Sequence, residues 1–231
     1  MTERPQQTPG PIVCGHRGAP AVAPENTLAG FAAAAERGAT WVEFDVRPTG
    51  DGQLAIHHDP ATAAGSRVGS TAYADLDLSI PRFGDLVASA PHLGLDIEMK
   101  TDDIDMSLEA FAELVAHEID THCAESAELM VTSFDAEALR LFHDKRPDIS
   151  TGLLFWERPF EEALAIALDA GHGTLAPWIK VLDAEMVARA RAASLGVVTW
   201  TVNEPAQVAL ASSLGVDMII GDDPAVILSH L

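Results

Sequence analysis

The sequence predicts a single α/β domain, a closed (β/α)8 barrel. Three observations point there. Short apolar strands alternate with Ala-rich amphipathic helices along the whole chain, the pattern of a parallel sheet covered by helices. A length of 231 residues suits one such barrel. The chemistry-bearing side chains fall at the carboxyl ends of the strands, where barrels of this kind gather their active sites. Nine strand segments compete for eight places, so one is spurious or lies outside the ring.

In order, Ile12-Val13-Cys14-Gly15 reads as the first strand and ends in His16-Arg17-Gly18. Pro24, Asn26 and Thr27 signal a helix start, and the helix over 28–37 stops at Gly38. Residues 41–59, WVEFDVRPTGDGQLAIHHD, hold two short strands around a turn. The link over 46–53 is too short for a crossover helix, which leaves an extended crossover or a hairpin. The polar, weakly patterned stretch over 59–79 is expected to be a loop or short insertion after the third strand that caps the site. Helix is then expected over 83–89, 106–122, 135–144, 159–170, 184–195, 205–214 and 224–231. Strands are expected over 95–100, 129–134, 149–155, 175–181, 197–202 and 218–220. Residues 1–10 read as a disordered lead and 11–231 as the domain.

Composition narrows the function classes. Hydrophobic residues make up 48%, and no apolar run reaches the roughly 18 residues of a spanning helix. The first ten residues lack the apolar core of a signal peptide, so a cytoplasmic protein is expected. Cys14 and Cys123 have no ligand spacing, which argues against a disulfide framework or structural zinc. A formal net charge of −21 argues against nucleic acid or an anionic membrane surface as partner. An anionic substrate would need local cations, for which His16, Arg17, Lys100 and a bound metal are the candidates.

The stretch from Trp41 to Asp59 carries the central chemistry. Side chains in a strand alternate, so Glu43 and Asp45 share one face and Val42, Phe44 and Val46 the other. With the apolar face on the helices, the two acids point into the domain, where an acid rarely sits without a partner. Leu95 to Lys100 repeats the arrangement with Asp96, Glu98 and Lys100. Three carboxylates roughly 5 Å apart repel by about 3 kcal/mol per pair at an effective dielectric of 20. A divalent cation would relieve that repulsion, and an all-oxygen donor set favours Mg²⁺ or Ca²⁺ over Zn²⁺.

His16-Arg17-Gly18, Pro24-Glu25-Asn26-Thr27, Glu43-Phe44-Asp45-Val46, His58-Asp59, Glu98-Met99-Lys100, Ser133-Phe134, Trp200-Thr201-Val202-Asn203 and Gly215-Val216-Asp217 form an ordered series spanning residues 12 to 224. The series resembles the signature of the glycerophosphodiester phosphodiesterase family. That resemblance implies a TIM barrel of the phosphatidylinositol-phospholipase-C-like kind. It also implies metal-dependent hydrolysis of a glycerophosphodiester to glycerol 3-phosphate and an alcohol. Carried over motif by motif, it makes Glu43, Asp45 and Glu98 ligands of one Mg²⁺ or Ca²⁺, and His16 and His58 an acid/base pair. Arg17 and Lys100 become phosphate contacts. Two imidazoles suit in-line displacement at phosphorus because their pKa lies near working pH; His16 is assigned as base and His58 as acid. After Asp59 the family's usual Leu, Arg and Thr pattern is degraded to Pro60-Ala61-Thr62-Ala63, which bears on head-group recognition.

Other residues read more plainly. Trp200 offers a surface for a glycerol or choline moiety, His57 reads as structural, and Asp222-Asp223 reads as a loop and cap. Ser133 and Phe134 read as wall. Competing functions are a lysophospholipase D and a non-catalytic metal- or anion-binding barrel. A zinc amidohydrolase is disfavoured by the absence of a His-x-His pair on the first strand.

Overall fold

The structure is a computed structural model and describes residues 10–125 and 127–231; residues 1–9, most of the expected lead, lie outside the described residues. Eight parallel strands close a barrel: β1 (Ile12–Gly15), β2 (Trp41–Pro48), β4 (Gly94–Met99), β5 (Leu129–Ser133), β6 (Ser150–Phe155), β7 (Thr174–Pro177), β8 (Gly196–Thr199) and β9 (Met218–Gly221), with β9 pairing back onto β1. The remaining strand, β3 (Leu54–Ile56), pairs antiparallel with the end of β2 through Val46 and Ile56. The ninth segment is therefore the outer arm of a hairpin, one of the two arrangements its short link left open, and the ring keeps eight members.

Helices α1 (Leu28–Glu36), α2 (Phe83–Ser89), α3 (Leu108–His122), α4 (Ala136–Lys145), α5 (Phe160–Ala170), α6 (Ala184–Ala192), α7 (Pro205–Leu214) and α8 (Pro224–Leu228) surround the barrel. Their starts carry the chemistry expected of helix ends. The Thr27 hydroxyl accepts from Gly30 N at 3.0 Å, and Asp223 caps α8. Residues 59–79 are less featureless than their sequence. Two 3₁₀ turns, Val68–Ser70 and Tyr73–Asp75, fold over a small core of Ala55, Val68, Leu76 and Ile80.

Alternation along β2 sorts the barrel into two interiors. Val42, Phe44 and Val46 face the helices, where Phe44 packs 5.5 Å from Phe31 and 5.8 Å from Phe83. Trp41 faces the barrel axis with Cys14, Met130, Leu154 and Met218 and plugs its lower layer. Gly94 makes room for the plug: a Cβ there would lie 2.2 Å from the indole of Trp41. Above it, on the face of Trp41, come Glu43, Asp45 and Arg47, all buried. The apolar plug fixes the floor on which the acids stand.

Candidate active site

Strand register brings the acids together. On the neighbouring strands β2 and β4, Glu43 lies opposite Asp96 and Asp45 opposite Glu98. Glu43, Asp45 and Glu98 each present an oxygen within 4.8 Å of the others'. Glu43 and Asp45 are at most 3% exposed and Glu98 is 8% exposed. Among the described residues, buried oxygens of Glu43 (Oε1) and Asp45 (Oδ1) have no hydrogen-bond partner. Leaving buried carboxylate oxygens unpaired is costly, so the cluster fits a hard cation by its donor chemistry and its unmet valence.

Protein cations supply part of the neutralisation. Lys100 Nζ lies 2.5 Å from Glu98 Oε1 and 3.1 Å from Asp45 Oδ1, the latter without the alignment of a hydrogen bond. Arg17 Nε lies 3.3 Å from Asp45 Oδ2, while its outer nitrogen pairs with Glu25 at 3.1 Å. Burial pushes Asp45 up, but Lys100, Arg17 and the Asn26 amide outweigh it and hold the carboxyl below its usual range. Glu43 goes the other way: burial, then the charges of Asp45 and Glu98, raise it well above the carboxylate range. Burial also pushes Glu98 up to about 7, although Lys100 opposes it. Unlike environments thus give three clustered acids different protonation preferences.

The loop after β1 shapes one flank. Arg17 has a φ of 48°, unusual for a residue with a side chain, and its backbone N–H donates to Glu43 Oε2 at 2.8 Å. Asn26, at φ 54°, grips Asp45 with both ends of its amide. Its Nδ2 donates to Oδ2 at 2.7 Å, and its Oδ1 accepts from Asp45 N at 3.2 Å. Sequence reading assigned Asn26 only to the helix start. The Pro24 to Thr27 motif was a pointer, but its target, a carboxylate on the next strand, is visible only once the chain folds.

Both predicted imidazoles stand at this rim, each pinned by an aspartate. His16 Nδ1 lies 2.6 Å from Asp222 Oδ1, and its Nε2 is 4.0 Å from Glu43 Oε2. Asn203 holds Asp222 in turn, donating from Nδ2 to Oδ2 at 2.6 Å and accepting from Asp222 N at 2.9 Å. Asp222 is therefore the orienting partner of His16 and more than a cap feature; Asp223 alone plays that part. His58 Nδ1 lies 2.7 Å from Asp59 Oδ1. Burial lowers the His58 pKa, with Lys100 and Arg17 adding to it and Asp45 opposing. The His58 carbonyl is clamped by Arg47, whose Nε and Nη2 donate at 2.8 and 2.5 Å while Nη1 donates to Asp102 O at 2.7 Å. A buried arginine pointing along the face of the acids was the signal for this clamp.

Further around the ring, a narrow cavity is lined by His16, Glu43, Asp96, Glu98, Thr132, Leu154, Trp200 and Ile220. Trp200 is anchored there by its indole N–H, which donates to Ala176 O at 2.8 Å. Asp96 belongs to the floor: its Oδ1 accepts from Thr132 at 2.8 Å, and burial pushes its pKa up to about 8. Ser133 donates to Met99 O at 2.8 Å. His57 turns toward Ala61 O, 3.3 Å away, and not toward the acids.

Comparison with known proteins bears on the family and the fold. Residues 16–226 match the model of the glycerophosphoryl diester phosphodiesterase family. The chain is 28% identical to a glycerophosphodiester phosphodiesterase of Caldanaerobacter subterraneus, covering 94% of this chain and 96% of the relative. It is also 28% identical to one of Bacillus altitudinis, covering 90% and 93%. Among solved structures, an Oleispira antarctica phosphodiesterase in complex with the product sn-glycerol-3-phosphate superposes with a TM-score of 0.88 at 24% identity, covering 96% of each chain. A glycerophosphodiester phosphodiesterase of Thermotoga maritima gives 0.81 at 23%, covering 96% of this chain and 99% of that one, and at such identities both likenesses speak to the fold. A family match over nearly the whole barrel, on a chain whose acids and imidazoles meet at one rim, places this protein in the glycerophosphoryl diester phosphodiesterase family.

Proposed function

We propose that the chain hydrolyses glycerophosphodiesters to glycerol 3-phosphate and an alcohol, in a reaction that depends on one divalent cation, Mg²⁺ or Ca²⁺. The observation that carries the reading is the meeting of Glu43, Asp45 and Glu98 within 4.8 Å, with Glu43 Oε1 and Asp45 Oδ1 buried without a hydrogen bond among the described residues, at a rim that also holds two aspartate-pinned imidazoles. Those three acids would hold the cation, which would supply Lewis-acid stabilisation of charge on the phosphoryl oxygens.

The remaining chemistry falls to the chain's own groups. With Nδ1 of each imidazole tied to an aspartate, Nε2 is left for the substrate on both. His16 takes the proton of the attacking hydroxyl, and the imidazolium so formed is stabilised by Asp222, itself held by Asn203. His58 gives a proton to the leaving alkoxide. Its partner Asp59 is 71% exposed and holds the charge less firmly, which favours release. Arg17 and Lys100 contact the phosphoryl oxygens, and Trp200 walls the substrate.

The direct test is release of glycerol 3-phosphate from glycerophosphocholine by purified protein with added Mg²⁺ or Ca²⁺, with a lysophospholipid run in parallel. Turnover of the small diester supports the reading. Turnover of the lysophospholipid alone would favour a lysophospholipase D, and no turnover of any diester would favour a binding barrel.

A further inference from the structure

The barrel mouth has two unlike halves. In the ring order, β1, β2 and β4 with the β3 hairpin deliver the acids, imidazoles and cations. On the opposite side, the ends of β5, β6, β7 and β8 deliver Phe134, Trp156, Trp178 and Trp200 in succession. Trp156 is the hub of this group, with ring centres 5.7 Å from Phe134, 6.2 Å from Trp178 and 6.1 Å from Trp200. It is also 50% exposed. The acid/base chemistry uses none of Phe134, Trp156 and Trp178.

The flanks of the cluster already hold ammonium groups. Lys180 Nζ sits 4.6 Å from the Trp178 ring centre, and Lys100 Nζ sits 5.9 Å from that of Phe134. Both are within cation–π range. Among the described residues, no Lys or Arg lies over Trp156. The half-exposed hub ring therefore has no cation over it from the described residues.

We propose that Trp156, backed by Phe134, Trp178 and Trp200, is a subsite for a quaternary ammonium on the departing alcohol, so that diesters of choline-type alcohols are favoured over those of uncharged alcohols. The inference rests on the phosphodiesterase reading and adds a head-group preference to it. A quaternary ammonium carries no N–H and needs no acceptor, which suits a wall of rings whose Trp200 N–H is already spent on Ala176 O. An uncharged polyol would need hydrogen-bonding partners instead. A net charge of −21 favours the approach of a cationic end, while Arg17 and Lys100 receive the phosphate. Lys100 contacts Phe134, and Phe134 contacts Trp156, so the two ends of a compact zwitterion meet their partners side by side.

Two measurements on the full chain decide it. Tetramethylammonium, titrated against tryptophan fluorescence, should bind wild type and Trp156→Phe saturably and Trp156→Leu at least about fivefold more weakly. The kcat/KM ratio for glycerophosphocholine over glycerophosphoglycerol should fall about tenfold in Trp156→Leu and be largely kept in Trp156→Phe. An unchanged ratio, a ratio that rises, or equal tetramethylammonium affinity in wild type and Trp156→Leu would overturn the proposal. If no diester is hydrolysed, the phosphodiesterase reading falls by itself, and the tetramethylammonium titration still decides the subsite.

Discussion

Cation binding at the acid cluster should release protons, and the direction follows from the site's electrostatics. Glu98, with a pKa of about 7, is half protonated at pH 7 without a cation. Glu43 is raised as well, by burial and then by the charges of its acidic neighbours. Asp45 is held ionised by Lys100 and Arg17. A divalent ion needs carboxylates, so near pH 7 it must displace roughly half a proton from Glu98 and whatever proton Glu43 holds. The sign is fixed: both acids are raised, protons compete with the ion, and affinity grows with pH. Apparent log K for Ca²⁺ or Mg²⁺ should rise by at least about 0.7 between pH 6 and 7 and flatten once both acids are ionised. Calorimetric titration in two buffers of different ionisation enthalpy reads the proton count directly. A binding enthalpy independent of buffer at pH 7 would refute the electrostatic reasoning, and unchanged affinity from pH 6 to 8 would do the same.

Other expectations are briefer. His16→Ala and His58→Ala should each lower kcat about 10²- to 10⁴-fold while circular dichroism stays native; near-normal turnover in either removes that imidazole from the chemistry. Asp222→Asn should lower kcat with little change in KM and shift the pH–rate profile, since it acts through His16; an effect confined to KM would contradict that role. Asn26→Ala frees Asp45 from its amide grip and should weaken calorimetric Ca²⁺ or Mg²⁺ binding about tenfold, one charge-assisted bond's worth. Far from the site, His172 is 2% exposed, bonded to Thr151 at 2.9 Å, and lowered by burial to about 4 from 6.5. The unfolded chain takes that proton first, so the stability it carries is complete above pH 6.5 and is lost as pH falls toward 4. About 3 to 4 kcal/mol is at stake, and His172→Gln should flatten the fall in Tm across that window, which a thermal melt series would show.

The barrel was legible because its signals are periodic. Alternation in Trp41 to Val46 and Leu95 to Met99 told which side chains share a face, and the β2–β4 pairing seen in the structure brings Glu43, Asp45 and Glu98 together. What sequence left open was long-range or conformational. The 46–53 link could not be assigned until β3 was seen paired with Val46. Residues 59–79 looked unstructured because their core of four side chains is too small and irregular to leave a period. Asn26, Arg47 and Asp222 escaped assignment for a shared reason: each acts on a partner 11 to 206 positions away, Asp45, the His58 carbonyl and His16 respectively. Trp156 carried no signal at all, since a lone tryptophan past a strand shows neither its exposure nor its neighbours.

A crystal grown with Ca²⁺ or Mg²⁺ and glycerol 3-phosphate tests the central claim most directly. The expected map has one ion ligated by Glu43, Asp45 and Glu98 and by a phosphoryl oxygen, with the Nε2 atoms of His16 and His58 turned toward opposite sides of the phosphorus. An ion bound elsewhere, or a phosphate seated away from both imidazoles, would contradict it.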